Sequence, residues 1–210
     1  MPGSGAYRGI GADERRAQRR RLLIDSALDC LHQDGLAAVS VRSVCAQARL
    51  TARYFYENFA DLDALLLAAV DTVLEEVADT ALAAVVAAPP EVAARVRAAI
   101  DAGYGVVVSD RRKATALLVA GAGHGPMRER RRRMIIDFAD VMIQNIALLR
   151  QAGLPDRAEL RASALFVMGG SAEVIEAVLS GRLRMSRARV VDQLTALWLG
   201  ALDAPSTTGG

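Results

Sequence analysis

Residues 39–59, VSVRSVCAQARLTARYFYENF, have the pattern of two short helices joined by a tight turn. Ser40 and Thr51 each precede a helix-compatible run, and their hydroxyl groups can accept hydrogen bonds from the free amides at a helix start. The first helix has apolar residues at helical spacing, and the second runs to Phe59. About three residues separate two such helices in a helix-turn-helix. This stretch therefore predicts that motif.

The rest of the chain predicts further helices. Before the motif, Asp13 can cap a helix that ends at Gly35 and whose apolar positions are Leu23, Ala27, Cys30 and Leu31. After it, Pro- and Gly-containing breaks separate long amphipathic segments. These segments cover residues 61–87, 91–108, 111–120, 127–152, 156–180 and 187–199, for a total of nine helices.

Composition supports an all-α fold. The chain has 210 residues, of which 52% are hydrophobic and only 4% aromatic; it contains 40 alanines, 25 arginines and a single lysine, Lys113. This mixture favours helices over strands, and the length excludes a metal- or disulfide-stapled miniprotein. We expect a flexible segment over residues 1–12, a helix-turn-helix domain over 13–60 and a helical domain over 61–205.

Charge is distributed unevenly along the chain. Residues 1–60 have nine arginines and six acids, a net charge of +3, whereas residues 61–210 have 17 basic and 18 acidic residues, a net charge of −1. A polyanionic partner should therefore bind the N-terminal quarter. Residues 1–11 lack the apolar core of a signal sequence, and the uncharged stretch 114–127 is too short to cross a bilayer. We expect a soluble, cytoplasmic protein without a membrane partner.

Helical geometry divides the second helix of the motif into two sides. Phe55 and Phe59 lie together on one side and should face the protein interior. The opposite side presents a guanidinium and two phenols, with a small residue and an amide at its flanks. Arginine can contact guanine O6 and N7, while tyrosine and asparagine can hold backbone oxygens. The alternative is an ordinary solvated face. The outward residues are Arg53, Tyr54 and Tyr56, flanked by Ala52 and Asn58.

Three segments resemble the N-terminal domain of the TetR/AcrR family of bacterial transcriptional regulators. They are LLIDSALDCLHQDG (22–35), VSVRSVCAQARLTARYFYENF (39–59) and ADLDALL (60–66), and the likeness covers residues 15–67. A weaker likeness links ALFVMGGSAEVIEAVLSGRL (164–183) to the penultimate, dimer-forming helix of that family. The resemblance implies a homodimeric regulator that binds double-stranded operator DNA, most often as a repressor.

The resemblance also implies particular DNA contacts. Thr51 would cap the recognition helix near a phosphate, Tyr56 and Asn58 would hold the backbone, and Arg42 would contact phosphate from the preceding helix. The residues that would approach base edges are Ala52, Arg53 and Tyr54.

Three positions depart from the family pattern. Arg49 replaces the usual turn glycine, so that it either adopts a left-handed conformation or alters the turn. Leu62 stands where a phosphate-binding lysine is common. Glu57, on the exposed side, could accept a hydrogen bond from a cytosine amino group or repel DNA.

The remaining charged and polar residues suggest no catalytic site. The N-terminal arginines could form a DNA-binding arm or be solvated, and the run at residues 128–133 is expected to be a solvated surface. Cys30 and Cys45 are expected to be core residues rather than a redox pair. His32 and His124 lie far apart without a ligand cluster, so neither a metal nor another cofactor is expected. We expect no enzymatic activity. The five N-terminal arginines are Arg15, Arg16, Arg19, Arg20 and Arg21.

The C-terminal helices suggest a ligand site and a dimer interface. A stripe of Met and Phe residues on the seventh helix fits either a core or a pocket for a small, largely apolar effector. Helices eight and nine have wide apolar faces, and with their symmetry mates they would form a four-helix interface. The alternatives are a small-molecule-binding protein or enzyme with a vestigial helix-turn-helix, and a DNA-binding structural protein without an effector. The candidate ligand residues are Tyr104, His124, Phe138, Met142, Asn145 and Phe166.

Overall fold

The computed structural model describes residues 11–122, 126–149 and 157–202. Within these ranges the protein forms nine α-helices, one short 3-10 turn and no strand, which confirms the all-α prediction. The helices are α1 (Ala12–Asp34), α2 (Val41–Ala48), α3 (Ala52–Tyr56), α4 (Leu62–Ala87), α5 (Val92–Ser109), α6 (Arg111–Ala122), α7 (Pro126–Leu149), α8 (Arg157–Leu179) and α9 (Arg187–Leu202).

The chain divides into two compact units, Met1–Ala69 and Val70–Gly210. The sequence suggested a division after residue 60, whereas the units meet within the continuous helix α4. In the N-terminal unit, α1 contacts both α2 and α3, and α2 contacts α3. This arrangement is the helix-turn-helix that the sequence predicts.

Most helix ends in the N-terminal unit follow local sequence signals, but the start of α1 does not. Gly35 ends α1 at φ +74°, and its amide donates to the Leu31 carbonyl; Ser40 and Ser43 form a reciprocal capping box at the start of α2. The prediction for Asp13 was wrong, because α1 begins after Gly11 and Asp13 lies in its first turn. There its carboxylate interacts favourably with the positive end of the helix dipole instead of capping an amide.

The turn between α2 and α3 keeps its geometry despite an unfavourable residue. Arg49 adopts the left-handed conformation, with φ 54° and ψ 39°. Its amide donates to the Ala46 carbonyl, and the Leu50 amide donates to the Cys45 carbonyl over 2.9 Å. A residue with a side chain costs about 1 kcal/mol or more in this conformation relative to glycine. The two hydrogen bonds that close the turn offset this cost.

Helix α3 is shorter than the sequence suggested. It ends at Tyr56 rather than Phe59, and the Asn58 side-chain amide donates to the Tyr54 carbonyl over 2.7 Å. Thr51 occupies the N-cap position, but its side chain makes no capping hydrogen bond. Local side-chain to main-chain bonds of the Asn58 type compete with helix continuation, which accounts for the early end.

The C-terminal unit is an assembly of helices with two buried clusters. One contains Ala139, Leu160, Ala164 and Val167, and the other contains Ile100, Tyr104, Val190, Val191 and Leu194. Contacts of α5 with α9, α7 with α8 and α8 with α9 bring these residues together.

Asp110 precedes α6 and accepts a hydrogen bond from the Arg112 amide over 2.9 Å. The Arg112 side chain also donates to both carboxylate oxygens. These bonds hold the pKa of Asp110 below its usual range. The carboxylate therefore stays ionised and satisfies an amide that the helix start would leave free.

One helix in the described part of the chain, at residues Ala158–Leu179, has the length and apolar composition of a membrane span. Only 17% of the most apolar 18-residue stretch of this helix is buried within the single chain. The isolated chain therefore leaves a substantial apolar helix surface uncovered.

Candidate nucleic-acid interface and apolar cavity

Helix α3 has the two sides that its sequence predicts. Phe55 is fully buried and Phe59 is 5% exposed, with their ring centroids 5.9 Å apart. The Arg53 side chain is 85% exposed and Tyr56 is 62% exposed. Burial of the two phenylalanines thus fixes the rotation of α3 and directs the guanidinium and the phenol to solvent.

The other predicted DNA-contact residues surround this face. Thr51, Ala52 and Tyr54 are exposed on α3 or at its start, and Arg42 is exposed in the first turn of α2. Asn58 is half-buried, and its amide nitrogen already binds the Tyr54 carbonyl.

Arginines of α1 bind the C-terminal end of α3. Arg16 donates to the Glu57 carbonyl over 2.7 Å, and Arg20 donates to the Asn58 carbonyl over 3.3 Å. The Arg19 guanidinium lies 4.6 Å from the Tyr54 ring centroid and 3.8 Å from a Glu57 carboxylate oxygen. Cations are favourable beside helix C-terminal carbonyls, which carry partial negative charge. We call Arg16, Arg19 and Arg20 the α1 arginine clamp.

The sequence left open a DNA-binding arm or solvated arginines; in the structure Arg16 and Arg20 stay exposed while each donates to a main-chain carbonyl. Residues 16 and 20 are four apart and therefore lie on one face of α1. That spacing was visible in the sequence, but the target was not, because carbonyl groups are common to every residue. Arg20 also lies 4.4 Å from the Phe59 ring centroid, which adds a cation–π contact.

The C-terminal unit contains a partly open apolar cavity of about 220 Å³. It is lined by residues of α4 to α9, among them Tyr104 and Phe138. Burial raises the pKa of Tyr104, so that its hydroxyl stays protonated near neutral pH and can donate a hydrogen bond. A second cavity of about 270 Å³ shares five lining residues with the first. The shared residues are Ala81, Ala99, Phe138, Met168 and Trp198.

The predicted ligand residues are divided between these cavities and other positions. Tyr104 lines the first cavity and Phe138 lines both. Phe166 is 74% exposed and lines neither, because the buried side of α8 contains Leu160, Ala164, Val167 and Ser171. The side chains of Met142 and Asn145 and the whole of His124 lie outside the described residues.

Trp198 and Ser171 are cavity residues that the sequence did not single out. The Trp198 indole donates to the Ser171 hydroxyl over 2.7 Å, and both residues line the first cavity. A single tryptophan on an apolar helix face was a weak signal, because such residues are more often core than pocket.

Comparison with known proteins identifies the N-terminal segment. Residues 23–69 match the family model described as bacterial regulatory proteins, tetR family. The chain carries a TetR-family DNA-binding domain. This confirms the resemblance over residues 23–67, a segment that includes α3. No curated protein matches the sequence closely enough to count as a relative.

Solved structures share the fold over most of the chain. The fatty acid degradation regulator FadR from Bacillus halodurans has a TM-score of 0.74 at 13% identity, covering 88% of this chain and 96% of its own. A TetR family transcription regulator from Marinobacter aquaeolei VT8 has a TM-score of 0.62 at 17% identity, covering 89% and 96%. The multidrug binding protein EbrR, complexed with imidazole, has a TM-score of 0.63 at 21% identity, covering 99% and 100%.

The TetR-family domain of this chain has two buried thiols. Cys30 is 4% exposed and Cys45 is 6% exposed, and both are free. Burial raises the pKa of each thiol and so disfavours the reactive thiolate. These properties support the prediction that the two cysteines pack in the core.

The second basic run of the sequence lies at the start of α7. Arg132 and Arg133 pair with Glu129, and Arg130 pairs with Asp71. These three arginines thus share two carboxylates of the C-terminal unit. Among the residues that the structure describes, no group of three or more potential ligands could hold a metal ion.

Proposed function

We propose that this chain is a cytoplasmic transcriptional repressor that binds operator DNA through α3 and is released by a small, largely apolar effector. The observation that carries the proposal is the outward face of α3 in a TetR-family helix-turn-helix. Arg53 and Tyr56 are exposed there, opposite the buried Phe55 and Phe59. A helix with this division can enter a major groove without disturbing its own packing.

Each exposed residue has a chemical role in the proposal. Arg53 would contact guanine, and Ala52 and Tyr54 would lie against neighbouring base edges. Tyr56 and Arg42 would donate to phosphates on either side of the groove, and Thr51 would do so at the start of α3. Asn58 would support this face through its bond to the Tyr54 carbonyl, and its amide oxygen remains available to accept from a neighbouring donor.

The apolar cavities support the effector part of the proposal. Their lining is mainly aliphatic and aromatic, with Tyr104 and Ser171 as hydrogen-bonding groups. Because the two cavities share lining residues, an elongated apolar molecule could occupy both. The names of two structural neighbours, a fatty acid degradation regulator and a multidrug binding protein, agree with such a ligand. This chain would have no catalytic role toward it.

The uncovered face of α8 supports a homodimer formed by α8 and α9. Phe166 is 74% exposed and Leu197 is 47% exposed. No neighbouring atom lies within 4 Å of the positions that side chains would occupy at Gly169, Gly170 and Gly200. A second copy could approach these glycines closely and cover the apolar face. Two recognition helices could then occupy major grooves 34–36 Å apart.

The DNA part of the proposal is tested with DNA from upstream of the protein's own gene. The wild-type chain should retard this DNA in a gel shift in the presence of excess unrelated competitor. Arg53→Ala should weaken binding roughly 10- to 100-fold, and Tyr56→Phe should weaken it less. Arg184→Ala is the matched control, since Arg184 is an exposed arginine of the C-terminal unit. Salt-sensitive binding without sequence preference would instead favour a small-molecule-binding protein with a vestigial motif.

The effector and dimer parts need separate tests. Apolar compounds should raise the melting temperature of the wild type but not of Ala99→Phe, which narrows both cavities. Absence of any stabilising compound would favour a DNA-binding protein without an effector. Leu197→Arg should convert a dimer to a monomer in analytical ultracentrifugation. A monomeric wild type, or one that partitions into lipid vesicles through α8, would contradict the dimer.

A further inference from the structure

The Glu57 carboxylate connects the exposed face of α3 to α1. One of its oxygens accepts from Arg53 Nε over 3.1 Å, and the other lies 3.8 Å from a terminal nitrogen of Arg19. Arg19 in turn lies against the ring of Tyr54. Glu57 thus contacts both Arg53, which is expected to bind guanine, and Arg19, which lies against Tyr54.

Two observations distinguish this contact from an ordinary surface ion pair. The Arg53 side chain is 85% exposed, although its Nε is held, so its terminal nitrogens face solvent. Two N–H donors of a guanidinium are enough to bind guanine O6 and N7. Because Glu57 holds Nε, the terminal NH1 and NH2 groups of Arg53 are left for that contact. In addition, the Glu57 main chain is anchored separately, through the bond from Arg16 to its carbonyl.

We propose that Glu57 is a positioning residue that holds Arg53 by Nε and so directs its terminal NH1 and NH2 groups to a guanine. This inference rests on the proposed function, because it assigns a role within DNA recognition by α3. Glu57 therefore favours sites with guanine over other DNA sequences and does not raise affinity for DNA in general. Its negative charge opposes phosphates in every sequence, whereas its hold on Arg53 benefits only sites with guanine at the matching position.

If nothing held the Arg53 side chain before DNA binding, its contact with guanine would cost side-chain entropy. An arginine loses considerable rotamer freedom when it is fixed, and prior fixation by Glu57 removes part of that cost from the binding step. The ion pair itself is exposed and contributes little to folding. Loss of the carboxylate should consequently change DNA selection while leaving the thermal stability of the domain almost unchanged.

The test uses the full chain and DNA selected by it from a random library. The measured quantity is the ratio of affinities for the selected site and for a scrambled site, at fixed salt. Glu57→Ala should lower this ratio roughly 10-fold or more and remove the guanine preference at one position. Glu57→Gln should retain the preference, because its amide oxygen can still accept from Arg53 Nε. Asp63→Asn, which removes another exposed charge of the same unit, should leave the ratio unchanged.

A double-mutant cycle separates action through Arg53 from a direct effect. If Glu57 acts by holding Arg53, Glu57→Ala should leave the ratio unchanged in an Arg53→Ala background. Melting curves should show that Glu57→Ala retains the wild-type fold, since Arg16 and Arg20 still bind main-chain carbonyls.

Three results would overturn the proposal. An unchanged ratio in Glu57→Ala would reduce Glu57 to a source of repulsion. A new preferred base in Glu57→Gln would make it a direct base-contact residue. A wild type with no preferred site would contradict the proposed function as well, and only this third result affects both.

Discussion

The two units of this protein use their cations differently. In the N-terminal unit, Arg16 and Arg20 bind main-chain carbonyls, and Arg19 lies against an aromatic ring and 3.8 Å from the Glu57 carboxylate. In the C-terminal unit several of the described cations instead pair with carboxylates of the same unit. Examples are Arg97 with Asp192, Arg187 with Asp101, Arg161 with Asp140 and Lys113 with Glu76.

This difference adds to the charge asymmetry of the sequence, in which residues 1–60 have a net charge of +3 and residues 61–210 a net charge of −1. An arginine that binds a carbonyl or a ring keeps its full positive charge, so the N-terminal unit retains a field that attracts phosphate. An arginine that binds a carboxylate loses most of its long-range field. The two cores also differ in their packing. Phe55 in the N-terminal unit is completely buried, whereas Phe138 in the other unit lines cavities.

The largest expected effect concerns the two cores. Phe55→Ala should lower the free energy of unfolding by about 3–5 kcal/mol, because a fully buried ring leaves a cavity. Phe138→Ala should cost less than half of that, since Phe138 is only partly buried and already borders empty space. Urea denaturation of the two variants measures the difference. Equal losses would show that the cavity lining is as tightly packed as the core of the other unit.

The next effect concerns arginines in the two units. Arg19→Ala should weaken operator binding by about 1–2 kcal/mol, because Tyr54 loses the guanidinium that lies against its ring. Arg187→Ala should leave operator affinity unchanged, since Arg187 binds Asp101 in the other unit. Fluorescence anisotropy with labelled operator DNA measures both affinities. A similar loss in Arg187→Ala would break the distinction between the two groups of arginines.

A smaller effect is expected at the start of α6. Asp110→Ala should cost about 1 kcal/mol at neutral pH through loss of the cap. Because its pKa is lowered in the folded chain, Asp110 stabilises fully above the unfolded pKa of about 4. That contribution is lost as the pH falls through the lower folded pKa. Melting curves of wild type and variant should therefore converge in acid, and a constant gap would exclude this linkage.

The smallest expected effect concerns the thiols. Mild oxidant should leave operator affinity unchanged, because Cys30 and Cys45 are buried and burial raises the pKa of both. The double substitution to alanine, which lacks oxidisable sulfur, is the control for any residual effect of oxidant. Oxidant-sensitive binding that this variant lacks would make the N-terminal unit a redox sensor.

The sequence by itself determined the helices, the helix-turn-helix and the division of α3 into two sides. These features depend on local signals, namely caps, glycines and the 3.6-residue period, which are properties of neighbouring residues. Ser40, Gly35 and the pair Phe55 and Phe59 are examples in which a local signal was sufficient.

Only the tertiary structure decided which partners the long side chains have. The α1 arginine clamp joins residues about 40 positions apart, and its targets are main-chain carbonyls that no sequence pattern marks. The exposure of Phe166 and the bond between Trp198 and Ser171 likewise depend on how α8 lies against its neighbours. Periodicity predicts the face of a helix on which a residue lies, but packing between helices decides what that face contacts.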